Sequence, residues 1–292
     1  MANHRATLAR AALAGLIAIS LFASHSRPAE AKSPSGATNA RAAREDATRG
    51  VPFAKLSPRL APQIQRVVGH PSIYRRLPIQ VIDCDPKMYH FLLNNPEVIV
   101  NIWQVMGITK VQITRTSPTS YEASDGAGAV GKLEIAYSDQ DTQVVYCEGM
   151  YEGPMFSKPL RAQCVLLFKA GYVQDTNRRY FISARCDAFI RLENVGLEIL
   201  AKTFQPMVNN SADANFVETA AFISTVSRTS ERKPTGMAKL GNRLQNISPE
   251  VRENFIDLTQ QVATRTRQNQ AELAQFDRRG AQQMRGQNSR GQ

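Results

Sequence analysis

The sequence predicts an α+β fold: a curved seven-stranded antiparallel sheet gripping a long C-terminal helix, with two short helices after the first strand. Three observations predict it. Residues 77–83 read as a short strand, and two helical segments that each open on a proline follow it. Six alternating segments come next between 109 and 192, joined by connections short enough to make antiparallel neighbours. After Asn194 the apolar period changes from two residues to about 3.6.

Each element has a local cause. Ser57 and Pro58 start a short helix over 58–68, which with its lead-in occupies 58–76. Pro78 marks the beginning or the edge of the first strand. Asp85 caps the first short helix, with Pro86 at its first position, where a missing N–H costs nothing. Asn94-Asn95-Pro96 ends that helix and starts the next, whose broad apolar face holds Val98, Ile99, Ile102, Trp103, Val105 and Met106. Gly107 stops it. The six strands are expected at 109–116, 119–124, 129–138, 142–153, 160–172 and 179–192. Ser117-Pro118, Asp125-Gly126, Asp139-Gln140-Asp141, Gly153-Pro154 and the stretch 175–177 supply the turns. Val195, Ile199, Leu200 and Phe204 then lead to Pro206, which interrupts the helix before a second segment over 212–229. Phe216, Ala220, Ile223 and Val226 share one face of that segment. Ser248 and Pro249 open a last helix, within 233–277, whose narrow stripe of Val251, Phe255, Leu258 and Val262 packs on the domain or on a partner chain.

The ends carry other signals. Arg5 and Arg10 precede a short apolar run over 11–23, and Ala29-Glu30-Ala31 forms a cleavage pattern, so 1–31 is expected to be a signal peptide and the chain exported to a periplasmic or extracellular space. Residues 32–57, rich in Ala, Ser, Arg and Pro without periodicity, read as a disordered linker, and 278–292 as a disordered basic tail. The net charge of +11 belongs to the flanks, because residues 60–232 hold 17 basic and 17 acidic side chains. No specific nucleic acid is therefore expected; an anionic polymer or lipid at the basic ends is allowed by charge alone.

Strand parity sorts the sheet into two faces. Lys110, Glu122, Lys132, Glu134, Glu148, Glu152, Arg161, Lys169, Arg185, Asp187 and Arg191 belong to a face that reads as solvated. The other face, toward the helix, carries no His, Asp, Glu, Lys or Arg, so acid–base chemistry has only tyrosines and thiols to draw on. That face either packs solid or lines a pocket; the small residues Ala123, Gly149, Ala162, Ala184 and Ala188 leave space for one. The expected pocket-lining residues are Trp103, Tyr137, Tyr151, Leu166, Phe168, Ile182, Ala184, Phe216 and Ile223. Neither His70 nor His90 has a companion ligand, no C-x-x-C pair occurs, and the glycine-rich 125–131 stretch joins two strands rather than opening a helix, so neither a metal nor a cofactor is expected. In an antiparallel hairpin facing residues have a constant index sum. A turn inside 153–159 sets Cys147 opposite Cys164, and one centred at 175 sets Cys164 opposite Cys186. A Cys147–Cys164 disulfide and a set of reduced, buried thiols both stay open.

The order of strand, two helices, six strands and long helix over 77–232 resembles the START-like helix-grip superfamily, shared by lipid-transfer domains, birch-pollen-allergen-like proteins and polyketide cyclases. The resemblance rests on element order, since that superfamily has no short motif. It implies a hydrophobic pocket between sheet and helix, and a first strand lying beside the last, which would bring Cys84 near Cys186 as a second disulfide pair. The function it implies is non-catalytic binding of a hydrophobic ligand, an envelope lipid among the candidates. The alternatives are an envelope scaffold with a filled core and a cyclase-like enzyme, against which the inner face counts.

Overall fold

The computed structural model describes residues 36–152, 159–193 and 205–288. The signal segment expected at 1–31, and Val195, Ile199, Leu200 and Phe204, lie outside them. The N-terminal part holds helix α1 (Arg41–Gly50), a 3-10 turn (Phe53–Lys55), α2 (Ala61–Gly69) and strand β1 (Ile73–Arg76). Strand β2 (Gln80–Asp83) and the short helices α3 (Pro86–Asn94) and α4 (Pro96–Val105) follow. The sheet continues with β3 (Gln112–Arg115), β4 (Ser120–Ser124), β5 (Ala129–Ser138), β6 (Thr142–Tyr151), β7 (Leu160–Gln174) and β8 (Tyr180–Leu192). Helices α5 (Gln205–Arg232), α6 (Pro234–Gly241) and α7 (Pro249–Asn288) complete the described chain.

All strand pairs are antiparallel, in the order β1-β8-β7-β6-β5-β4-β3, and β2 also pairs with β8. The fold class is the one the sequence predicts, with eight strands rather than seven. The extra strand arises because the edge beside β8 is split. Ile73 faces Ile190 and Ile82 faces Ile182, with Leu77-Pro78-Ile79 between the two pieces. Pro78 has no N–H to offer the ladder, while the Leu77 N–H still donates to the Cys186 carbonyl at 2.9 Å. Asp85 caps α3 as expected, accepting from the backbone N–H of Lys87 at 2.9 Å and of Met88 at 3.2 Å.

Two registers depart from the sequence expectation. In the β7–β8 hairpin Gln174 pairs with Tyr180, so the turn is centred two residues later than 175. Asp175 Oδ1 accepts from the Arg179 N–H at 2.7 Å and Arg178 takes a left-handed φ of 59°, which builds a longer turn than the Asp-Thr-Asn signal suggests. Cys164 consequently faces Ile190, and Cys186 faces Phe168. In β5 a bulge between Ile135 and Tyr137 shifts the pairing. Tyr137 therefore sits on the outer face, where its hydroxyl accepts from Lys55 Nζ at 2.8 Å.

The outer face is solvated in part, as expected, with Lys110, Glu122, Lys132, Glu148 and Arg161 exposed, but its β6–β8 part is covered. Val144, Tyr146, Val165, Leu167 and Phe189 are buried there against Ala47, Val51, Leu60, Ile64, Val67 and Val68. The 32–57 stretch is thus not a free linker: its central part is α1, and Ala47 is completely buried. Ala43, Ala47 and Val51 recur every fourth residue, a stripe concealed by small side chains. Arg76 fastens this layer, donating to Asp187 Oδ1 at 2.7 Å, to Asp46 Oδ2 at 2.7 Å and to the Ala43 carbonyl at 3.1 Å. Asp187, fully buried, also accepts from the Tyr74 hydroxyl at 2.6 Å.

The opposite face carries α5, which is continuous over Gln205–Arg232 and so joins Pro206 to the segment expected at 212–229. Arg75 on β1 anchors it through a buried bidentate pair with Asp213, with Asn39 Oδ1 accepting a third bond at 3.1 Å. Helices α6 and α7 pack outside α5 and α3. Val251, Phe255, Leu258 and Val262 are all buried in that layer, and Phe255 stacks on Phe91 at 6.1 Å. The 278–292 stretch is helical as far as Asn288 rather than disordered, in keeping with its Ala, Gln and Arg content. No helix among the described residues is long and apolar enough to cross a membrane.

Candidate functional site

Between the inner face of the sheet and α5 lies an apolar cavity of about 110 Å³. Helix α5 gives it Phe216, Thr219, Ala220 and Ile223, the spacing that puts four side chains on one face. The sheet supplies Ile82, Tyr121, Leu133, Ile135, Gln143, Val145, Leu166, Phe168 and Ala184. The third wall comes from the short helices, through Tyr89, Leu92, Leu93, Pro96 and Ile99. Ala184 explains part of the space. A small residue stands there in mid-strand, beneath the helix, where Phe or Leu would reach α5.

The α3–α4 corner closes one end. The Asn94 carbonyl accepts from the Tyr121 hydroxyl at 2.9 Å and from Arg115 Nη2 at 3.1 Å. Its side-chain oxygen accepts from Ser138 Oγ at 2.9 Å and Gln143 Nε2 at 3.1 Å. Asn94 thus ties the corner to four different strands, and it occupies the lining groups Tyr121 and Gln143 in doing so. Thr219 is satisfied as well, donating to the Asn215 carbonyl at 2.7 Å. Tyr89 is buried in the lining and packs edge-on against Tyr172, with ring centroids 6.4 Å apart.

Electrostatically the cavity is neutral. Its only titratable lining groups are the phenols of Tyr89 and Tyr121, and burial raises both above their ordinary range. Neither is ionised near neutrality. General acid–base chemistry at neutral pH therefore has no ionisable side chain to draw on in this lining.

Five of the nine expected residues line the cavity: Leu166, Phe168, Ala184, Phe216 and Ile223. Four do not. Tyr137 is turned outward by the β5 bulge. Tyr151 is buried at the far end of β6, facing Leu160, in a part of the core beyond the cavity. Trp103 points from α4 onto Phe222, with ring centroids 5.2 Å apart. Ile182 is completely buried beneath its partner Ile82, which takes the lining position. The short-helix residues were not foreseen; the broad apolar faces of 86–105 signal burial but not which side looks into a cavity.

All four cysteines are buried and free. Cys147 does face Cys164 across β6 and β7. Cys84 follows β2 beside Tyr180, whose carbonyl accepts from its N–H at 3.3 Å, six residues along β8 from Cys186. The β2–β8 register therefore does not set the expected pair opposite one another. Burial pushes the Cys147 thiol up to about 12 and raises Cys84, Cys164 and Cys186 as well, so these groups stay protonated and serve as small apolar side chains.

Fold and cavity together define a class: an α+β protein whose open antiparallel sheet and long C-terminal helix enclose a small, uncharged, apolar chamber. No family model matches the chain and no curated protein matches it.

Proposed function

We propose that this protein is a non-catalytic binder of a small apolar molecule, held between the sheet and α5. The observation that carries this reading is the apolar chamber of about 110 Å³ between the sheet, α5 and the short helices. Apolar cavities of about 150 Å³ admit a benzene ring. At about 110 Å³ the chamber is somewhat smaller and suits a short alkyl branch or a single small ring. A whole lipid is too large; the end of one is not. The strand order, first strand beside last and the remainder in sequence, supports the likeness to START-like helix-grip proteins. Export rests on residues 1–31, and N-terminal sequencing of the mature chain tests it.

The test of binding is methyl-resolved NMR with toluene, hexanol and 4-methylphenol as probes. Saturable shifts confined to Leu133, Ile135, Leu166 and Ile223 are the expected result. No shift at saturating probe, or shifts spread over the surface, would overturn the reading.

A further inference from the structure

A second concavity begins at the C-terminal end of β2, at Asp83, and its character is opposite. It measures about 640 Å³ and is walled by the β7–β8 turn, the C-terminal end of α5 and the middle of α7. Six arginines line it: Arg178, Arg179, Arg228, Arg232, Arg265 and Arg267. Only three carboxylates join them, those of Asp83, Asp85 and Glu231.

The carboxylates hold the arginines in place more than they neutralise them. Asp83 Oδ2 accepts from both Arg179 and, at 3.2 Å, Arg228 Nη1. Asp85, whose Oδ1 caps α3, takes Arg265 Nε on Oδ2 at 2.9 Å. Arg178 pairs with Glu272 outside the cleft wall. Arg232 and Arg267 have no ion pair among the described residues. Arg267 only donates Nε to the Ala263 carbonyl of its own helix, at 3.3 Å. Guanidinium groups gathered in one concavity repel each other. A merely solvated surface has no reason to concentrate them from three separate elements.

We infer that this cleft is a binding site for an oxyanion of the phosphate class carried on a small polar molecule. Guanidinium forks match phosphate oxygens two at a time. Arg179 and Arg228 are pre-oriented by Asp83, and Arg232 and Arg267 supply the free charge. The side chains of Asn177, Asn269, Gln270 and Thr266 give the neutral donors and acceptors that the remainder of such a molecule needs. The volume falls within the range of roughly 300–1,000 Å³ usual for small-molecule sites. The site does not depend on the apolar chamber holding a ligand.

Calorimetric titration of the full chain with inorganic phosphate and with pyrophosphate, at low salt, tests the inference. Pyrophosphate is expected to bind more tightly than phosphate, and Arg232→Gln/Arg267→Gln to weaken it at least about tenfold with the melting temperature unchanged. Both residues are exposed, so the substitutions leave the core alone; Arg267→Gln by itself serves if the double variant is less stable. Sedimentation with phosphatidate vesicles, and with phosphatidylcholine vesicles as control, separates the sources. Co-sedimentation released by pyrophosphate assigns the oxyanion to a lipid headgroup, and pyrophosphate binding without co-sedimentation assigns it to a soluble molecule. Absence of heat with either anion at millimolar concentration, or an affinity that the double variant leaves untouched, would overturn the site.

Discussion

Filling the apolar chamber from one wall separates a true void from a packed core. Ala184 is buried on β8 and lines the chamber together with Phe216 and Ile223 of the helix above it. Ala184→Leu adds three carbon atoms. At about 0.8 kcal/mol for each buried carbon, their transfer contributes about 2.4 kcal/mol. Fixing the new side chain costs about 0.5–1 kcal/mol. The expected net effect is a stabilisation of about 1.5 kcal/mol, or a melting temperature raised by about 3–6 °C for a chain of this size. Differential scanning calorimetry reads the shift, and titration with toluene reads the loss of the site. In a filled core the same leucine overpacks and costs about 1–3 kcal/mol instead. A melting temperature lowered by several degrees, with toluene uptake unchanged, would refute the assignment of this space as a chamber.

Other consequences are open to direct measurement. Arg75→Met leaves the Asp213 carboxylate buried without its partner and is expected to cost about 3–5 kcal/mol in urea denaturation; a loss below about 1 kcal/mol would mean that α5 is not anchored there. Gly128 takes a φ of +111°, and a Cβ there would lie 2.2 Å from the Glu152 carbonyl oxygen, so Gly128→Ala is expected to lower stability by more than about 2 kcal/mol. The four buried thiols are expected to ignore a thiol-reactive dye at pH 8 and to react together on unfolding; rapid labelling of the native protein contradicts the burial. Burial raises the Glu97 carboxyl despite Arg115 at 2.7 Å, and its Oε2 has no hydrogen-bond partner among the described residues. The stability that this raised group contributes is complete below the unfolded carboxylate range and is lost as pH rises through its folded value. Glu97→Gln is therefore expected to flatten the melting-temperature profile on the alkaline side of the carboxylate range, and an unchanged profile would show that Glu97 does not cause it.

The parts legible in the sequence are those fixed by local chemistry. Asp85-Pro86 and Asn95-Pro96 mark helix starts that the structure reproduces. Alternation in 160–192 and the helical spacing of Phe216 and Ile223 identify one face of the sheet and the helix face opposite it. Leu166, Phe168 and Ala184 could be placed on that basis. What parity cannot convey is an irregularity in the ladder: the bulge after Ile135 reverses Tyr137, and the long β7–β8 turn moves Cys186 by four residues. The covered outer face did leave a sign. Val144-Val145-Tyr146-Cys147 and Val165-Leu166-Leu167-Phe168 are apolar on both parities, as strands buried on two sides are. The arginine cleft left none, since its members are scattered from Arg178 to Arg267 and meet only through the tertiary fold.

The coupling of first elements to last strands sets a timetable for folding. Ile73 pairs with Ile190, 117 positions further on, and Val67, Val68 and Tyr74 are buried against Val165, Leu167 and Phe189. At a synthesis rate of about 5–20 residues per second, the first strand emerges roughly 6–23 s before its partner exists. During that interval the α2 stripe and the unpaired β1 edge are open to other chains. Contacts this distant in sequence also slow the search for the native pairing in a refolding reaction. Residues made early wait for β8, which seats both β1 and β2 and whose arrival ends the exposure of that edge.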